Sequence, residues 1–539
     1  MIFNLNMQQN TISFNKTGYF SSLICDYLEQ NSDLKPFYNR FPSIENFKSQ
    51  IEEKHNAFKR ETRELLSNIL LNQNKGVEVS GLTAQNIESL KSENTFTITT
   101  GHQLNLFTGP FYFLYKIIST INLTEQLKKT HPEYNFVPIY WMATEDHDFD
   151  EINFFNFKEK KIQWNKDASG GVGRLLTKEL ESVFKVYSSE LGSSRNAEYL
   201  KILFKEAYLK HETLAEATRF LVNELFKDYG LVIIDADNAD LKKQFIPFIE
   251  EELLNQTSFK SVSKTNKQIN ELPEDYKIQV NPREINLFYL TDNSRERIVL
   301  EDEVYKVLNT NVSWSKNEVL KEVSEHPERF SPNVIMRPLY QEVILPNLCY
   351  IGGGGELAYW FQLKTYFNKV EVPFPMLLLR NSVLLQKESQ HRKLEKLNVS
   401  SEDLFLKRDL LINKKVREIS NLDIDFSTQK KYLQEQFKDL YKIAEQTDKS
   451  FLGAVKAQEI KQLKGLESLE KRLLKAQKRK LADYVSRMTD LQNELFPNQS
   501  LQERQSNFSE FYLEHGELLI KKLSESLQPL KSEFSIITL

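Results

Sequence analysis

Cysteine is nearly absent: Cys25 and Cys349 are the only two in 539 residues. Two distant cysteines make neither a disulfide framework nor a CxxC-type zinc ligand set, and they fit a reducing compartment. No apolar run approaches the roughly 18 residues that a membrane-spanning helix needs. The start, MIFNLNMQQNTISFNKTGYF, lacks a basic stretch followed by an apolar one. No signal peptide is read there, and the cytoplasm is the expected location. Excess charge of one sign is missing as well. Lys and Arg number 71 against 75 Asp and Glu, a formal charge of -4. That balance disfavours nucleic acid as a partner, although a local basic patch fits within it.

What is present is apolar and aromatic. Hydrophobic residues make up 40% of the chain, with 36 Phe and 22 Tyr, enough for a large core. The length exceeds what one core usually spans, so two or three domains are expected. Residues from about 17 to 92 read as helical, with Leu65, Leu66, Ile69 and Leu70 as one apolar face. Three buried strands follow, at Thr95 to Thr100, Phe136 to Met142 and Leu231 to Ile234. Gly101 is expected to end the first, and a helix follows Pro110. Met376 to Leu379 reads as a last buried strand. Apolar strands joined by helix-length connections indicate a parallel α/β sheet covered on both faces. Ligands bind beyond the carboxyl ends of such strands.

Beyond about 384 the composition shifts to helix formers and charge. Leu463, Leu474, Leu481, Tyr484, Met488, Leu491 and Leu495 form an imperfect heptad seam after Ile460. It suggests an antiparallel coiled-coil arm with the helix at about 429–446. Ala454 to Arg487 holds ten basic and four acidic residues. Such a face could touch RNA, but more commonly it is solvated.

Three segments could carry chemistry. TGHQLNLFTGP puts Gly101, His102 and Gly109 where a strand turns into a helix, a place for an anion or simply a tight turn. TEDHDFDEIN crowds Glu145, Asp146, His147, Asp148, Asp150 and Glu151 directly after an apolar strand. Helix capping accounts for one or two of these acids; a bound cation or substrate amine accounts for the rest. Their oxygens would also suit magnesium on ATP, while no zinc site is visible. The third segment, SPNVIMRPLYQEVILPNLCYIGGGGELAYW, offers Arg337 for a carboxylate and four glycines for close approach or a bend. Cys349, in its apolar run, reads as a buried structural thiol.

In order along the chain, TGHQLNLFTGPFYFLYK, YWMATEDHDFDEIN, SPNVIMRPLYQE with GGGGELAYWFQLK, and LQERQSNF resemble the cysteine-adding enzymes of bacillithiol biosynthesis, the cysteine ligases. The resemblance implies a Rossmann-like parallel sheet core with connecting-peptide insertions like those of class I synthetases, plus an α-helical coiled-coil domain that makes a homodimer. The expected divisions are 1–154 (N-terminal helices and first part of the core), 155–215 (insertion), 216–245 (core continued), 246–330 (second insertion), 331–383 (core completed) and 384–539 (coiled-coil domain and C-terminal helices). The implied reaction joins the carboxyl group of cysteine to the amine of glucosaminyl-malate, with ATP, and magnesium beside it, as the expected cofactors.

On that reading His147 orients or deprotonates the amine, and Asp146 and Asp148 hold it or bind substrate hydroxyls. Thr100, Gly101, His102, Gln103, Gly109, Glu145, Arg337, Gln341, Gly354 and Glu356 are the expected substrate and nucleotide contacts. The sequence departs from the family pattern in its glycine block, GGGGE where a GPGE-like form is expected. The other readings are a synthetase-like or tRNA-modifying enzyme that uses the basic arm, and a non-catalytic coiled-coil scaffold.

Overall fold

A computed structural model of the chain describes residues 9–539. The segment read for a leader and the first of the expected divisions both begin at Met1, so residues 1–8 of each lie outside those described. Five parallel strands form the centre: β1 (Thr95–His102), β2 (Asn135–Met142), β3 (Val232–Asp235), β4 (Asn347–Gly352) and β5 (Met376–Leu379), in the spatial order β5-β4-β1-β2-β3. Every neighbouring pair is parallel, and β1 registers on β2 through Gly101↔Trp141 and His102↔Met142. The chain therefore builds outward from β1 in one direction and then returns to its other side. The seam between β1 and β4 is the switch point of a Rossmann-like sheet.

Alternation along β2 shows why these strands are apolar throughout. Val137, Ile139 and Trp141 face one packed layer, while Tyr140 and Met142 face another. Neither face of the sheet meets water. Helix α1 (Tyr112–Thr130) covers one side and buries Phe113, Leu114, Ile117 and Ile118. Its Lys116 is also buried, which anticipates a partner.

Two segments leave the sheet and return. Between β2 and β3 lie a hairpin, Phe154–Phe157 with Lys160–Gln163, and the helices Leu180–Leu191 and Arg195–Leu209. Between β3 and β4 lie the helices Ile246–Asn255 and Thr257–Asn270, followed by a five-stranded antiparallel sheet that includes Leu287–Leu290, Arg295–Glu301 and Phe330–Pro332. Helices α2 (Arg337–Ile344) and α3 (Gly354–Phe361) flank β4.

The carboxyl-terminal region contains the expected arm. Ser427–Ala444 and Lys449–Lys480 pair as a hairpin around Phe437, Ala444 and Val455, with Asp448 capping the second helix. The expected seam does not continue as one stripe. The helix breaks at Leu481, and Met488, Leu491 and Leu495 of Ala482–Leu495 pack into the main core instead. Within the arm, Ile460 and Leu469 stay exposed.

The region is also not wholly helical. Val383–Gln386 pairs with Glu533–Thr538, which in turn pairs with Gln9–Ser13. This sheet joins opposite ends of the chain, so no local period announces it. Among the described residues, no helix is long and apolar enough to cross a membrane.

One half-buried acid gives the fold a pH signature. Glu510, on Phe508–His515, accepts backbone N–H groups of Lys158 and Asn507, yet burial pushes its carboxyl up to about 7. A raised acid holds its proton longer in the folded state, so stability falls as pH rises from the ordinary carboxylate range to about 7. Glu510→Gln removes that loss, at most about 3 kcal/mol for a group that keeps some contact with water. Urea midpoints should show the variant gaining on the parent between pH 5 and pH 8. An equal gap at both pH values contradicts this.

Candidate active site

The carboxyl ends of β1, β2 and β4 open into a cleft of about 680 Å³, closed on its far side by the antiparallel sheet. That size suits a small-molecule site. Gly101, His102, Gln103, Glu145, Asp146, His147, Asp148, Arg337 and Glu356 all line it. The cleft thus gathers residues that lie up to 255 positions apart in sequence.

Four other expected contacts lie elsewhere. Thr100 spends its hydroxyl on the Ile351 carbonyl at 2.7 Å, bonding β1 to β4. Gln341 is fully buried beneath the cleft, accepting from Arg337 Nη1 at 3.1 Å and donating to Glu342 at 3.0 Å. Gly354 opens α3, where a Cβ would sit 3.3 Å from Ile24. Gly109 has φ +62, and a Cβ there would lie 2.5 Å from that of Asn105, so the position takes only glycine. Its carbonyl and that of Phe107 accept from Asn507 Nδ2 at 2.6 and 2.8 Å. The LQERQSNF segment is therefore a clamp on the turn before α1.

Gly101 and His102 belong to β1 rather than to a turn, because pairing with β2 runs two residues further than expected. The four glycines likewise form no flexible bend. Gly352 ends β4, Gly353 caps α3, and Gly354 and Gly355 begin the helix.

At the switch point, Lys116 Nζ lies 2.6 Å from both the Gly101 carbonyl and Glu356 Oε1. Glu356 also accepts from Tyr350 at 2.6 Å and from the Gly353 N–H at 3.0 Å. Burial alone would raise this carboxyl, but Lys116 and these donors hold it below the ordinary range. Burial has the last word on Lys116, which falls below the usual lysine value despite Glu356. His102 is driven well below the usual histidine range by burial and by the charges of Lys116 and Arg380. It is therefore neutral, and its buried Nε2 has no protein partner.

Arg337, the first residue of α2, lies over the Trp141 and Tyr350 rings at 5.6 Å each. Its buried Nη2 has no partner, although its Nη1 has. A Cβ at Gly101 would meet the Tyr350 hydroxyl at 3.3 Å and Arg337 Nη1 at 3.8 Å, so glycine leaves this guanidinium accessible. An unpaired, buried donor pair on a permanent cation calls for an anionic ligand.

The acidic end is built differently. Asp146 accepts from the His147 N–H at 2.8 Å and from Gln103 Nε2 at 3.0 Å. Burial, and then the charge of Asp146, raises the Asp148 carboxyl. Burial also raises Glu145, although Lys242 sits at 2.5 Å and pulls the other way.

His147 carries an unforeseen contact. Arg295 Nη1, from the antiparallel sheet, lies 2.8 Å from His147 Nδ1. A guanidinium only donates, so Nδ1 accepts and Nε2 carries the ring proton. Arg295 is itself fixed by Ser331 Oγ at 3.0 Å and the Pro332 carbonyl at 3.1 Å, with its guanidinium over Phe288.

Asp235 and Asp237, at the end of β3, are occupied. Asp235 accepts from Thr144, and Asp237 makes a bidentate pair with Arg174 at 2.8 and 2.9 Å. Among the described residues, no group of three or more His, Cys, Asp or Glu is arranged to hold a metal ion.

Comparison with known proteins matches residues 7–381 to the family model "Bacillithiol biosynthesis BshC, N-terminal Rossmann-like domain" and residues 383–539 to "Bacillithiol biosynthesis BshC, C-terminal coiled-coil domain". A Flavobacterium johnsoniae protein is 61% identical over 533 residues, covering 99% of this chain and all of its own length. A Cytophaga hutchinsonii protein is 40% identical over 96% of each chain, and one from Bacillus mycoides is 28% identical over 93% of this chain and 95% of its own. Each of these relatives bears the name "Putative cysteine ligase BshC".

Proposed function

This chain belongs to the bacillithiol biosynthesis BshC family, and from that premise we propose that it is an ATP-dependent ligase joining the carboxyl group of cysteine to the amine of glucosaminyl-malate. The observation that carries the reading is the polarity of the cleft. Arg337, with Nη2 unpaired, serves an anion, while Asp146 and Asp148 serve an amine in the same cavity. A substrate with an amine and carboxylates, meeting a second carboxylate, needs both.

The amine arrives as an ammonium ion and must lose a proton before its nitrogen attacks the cysteine carboxyl carbon. Asp148 is assigned as the acceptor: it is exposed to the cleft, lies 4.0 Å from His147 Nε2, and its carboxyl is raised by partial burial and by Asp146 beside it. His147, held by Arg295, donates from Nε2 and orients; it is not the base in this arrangement. ATP supplies the activation that a carboxylate lacks, giving its oxygen a phosphate or AMP on which to depart. Gly101 and His102 are the residues assigned to nucleotide phosphate and Arg337 to a substrate carboxylate, and magnesium is assigned to the nucleotide rather than to a protein cage.

A homodimer through the arm belongs to the same proposal, supported by the exposure of Tyr432, Ile443 and Leu469. A sedimentation mass of 63.3 kDa would remove it. The reaction is tested by mass spectrometry of the purified chain with glucosaminyl-malate, cysteine and ATP. The expected product has the summed mass of the two substrates less one water, with AMP or ADP formed in step. Folded protein that yields no such product refutes the assignment.

A further inference from the structure

Besides Arg295, the cleft draws Arg283 and Arg337 from segments 54 positions apart in sequence, and one buried side chain ties these two segments together. Asn286 Oδ1 accepts the Arg283 N–H at 3.0 Å, and its Nδ2 donates back to the Arg283 carbonyl at 2.8 Å. The same Oδ1 accepts Asn333 Nδ2 at 2.9 Å, and the Asn286 carbonyl accepts the Asn333 N–H at 3.1 Å. The Asn333 carbonyl then receives the Arg337 N–H at 2.8 Å, starting α2. Both arginine-bearing segments therefore take their place from Asn286.

Asn286 is held in turn by an acid outside the cleft. Glu252 is 1% exposed, on Ile246–Asn255. Its Oε1 accepts the Asn286 N–H at 2.9 Å and Ser258 Oγ at 2.6 Å, its Oε2 accepts the Ser258 N–H at 3.0 Å, and Ser258 Oγ in turn accepts Asn286 Nδ2 at 2.6 Å. Both carboxylate oxygens face N–H donors. An amide in its place, however it is turned, sets a donor against a donor. A buried polar network of this kind specifies one arrangement only while every member is satisfied.

We propose that Glu252 is a positioning residue for this cleft, setting through Asn286 the spacing of Arg283 and Arg337 on an anionic substrate that bears several carboxylates. The substrate class rests on the reading above; the mechanical role does not. Arginines displaced by a fraction of an ångström still carry their charge but no longer meet the anion together, so binding suffers more than turnover of bound substrate.

Glu252→Gln is expected to raise KM for glucosaminyl-malate about 10-fold, with kcat changing less than about 3-fold. Amide exchange in 283–286 and 333–337 should quicken while β1 and β2 stay protected. Unchanged exchange in those two segments, or unchanged KM in a folded variant, overturns the proposal. If Glu252→Gln does not fold, Ser258→Ala decides, since it removes one hydroxyl from the same network. It should raise KM about 3-fold and quicken the same amides, and no change in either overturns the proposal. If the parent protein makes no product at all, the functional reading has failed, and the exchange data alone decide the role of Glu252.

Discussion

Replacing Arg337 with methionine lowers kcat/KM by about 100-fold or more, while the melting midpoint moves by only a few degrees. The asymmetry follows from where the guanidinium's contacts go. Within the protein the guanidinium serves Gln341, through Nη1, and the Tyr359 hydroxyl, and the methionine stem keeps apolar packing against Trp141 and Tyr350. Nη2 is buried and unpaired, so its loss is felt by the ligand. Arg337→Lys keeps the charge but loses the planar fork, and it should recover only part of the activity. Steady-state kinetics beside a thermal melt check this. A loss below about 3-fold would remove Arg337 from the site.

Replacing Glu503 with alanine destabilises the chain by about 3–5 kcal/mol. Glu503 is fully buried, accepting from Arg380 Nη2 at 2.7 Å and from the Val383 N–H at 3.1 Å. Arg380 follows β5, whereas Glu503 lies in the LQERQSNF segment. The pair therefore fastens the central sheet's last loop to the carboxyl-terminal region. Alanine leaves the Arg380 guanidinium, 3% exposed, without its counter-charge. Changing both residues to methionine should restore much of the loss, since the expensive state is the unpaired ion. Urea unfolding followed at several probes reads both variants. A loss under about 1 kcal/mol for Glu503→Ala would mean that the pair behaves as a solvated surface bridge.

The central sheet was legible because its strands are buried on both faces and so read as uninterrupted apolar runs, from Phe136 to Met142 above all. The first wall of the cleft was legible for the same reason, since charge placed directly after such a run stands at a strand's carboxyl end. The opposite wall was not. Arg295 reaches His147 from 148 residues away, through a sheet folded out of the second returning segment. No local pattern marks that arginine, and without it His147 reads as a free base.

Lys116 did leave a signal, a lone cation in the apolar helix run FYFLYKII. Helical periodicity places it inside, and a buried lysine needs a partner such as Glu356. Thr100 and Gly109 show the opposite limit. Their neighbourhood to the site in sequence is real, but the hydroxyl bonds across the sheet and the glycine is required by its own turn. The sheet uniting Gln9–Ser13, Val383–Gln386 and Glu533–Thr538 depends on chain ends meeting, which no window of sequence contains.

The central claim is that the cleft at the β1–β4 switch point is where substrate binds. Hydrogen exchange of the protein with and without glucosaminyl-malate tests it most directly. Slowed exchange at 101–103, 144–148 and 333–337 is the predicted result, with the 427–480 arm unchanged. Protection confined to the arm, or to the groove between 122–129 and 524–531, would contradict it.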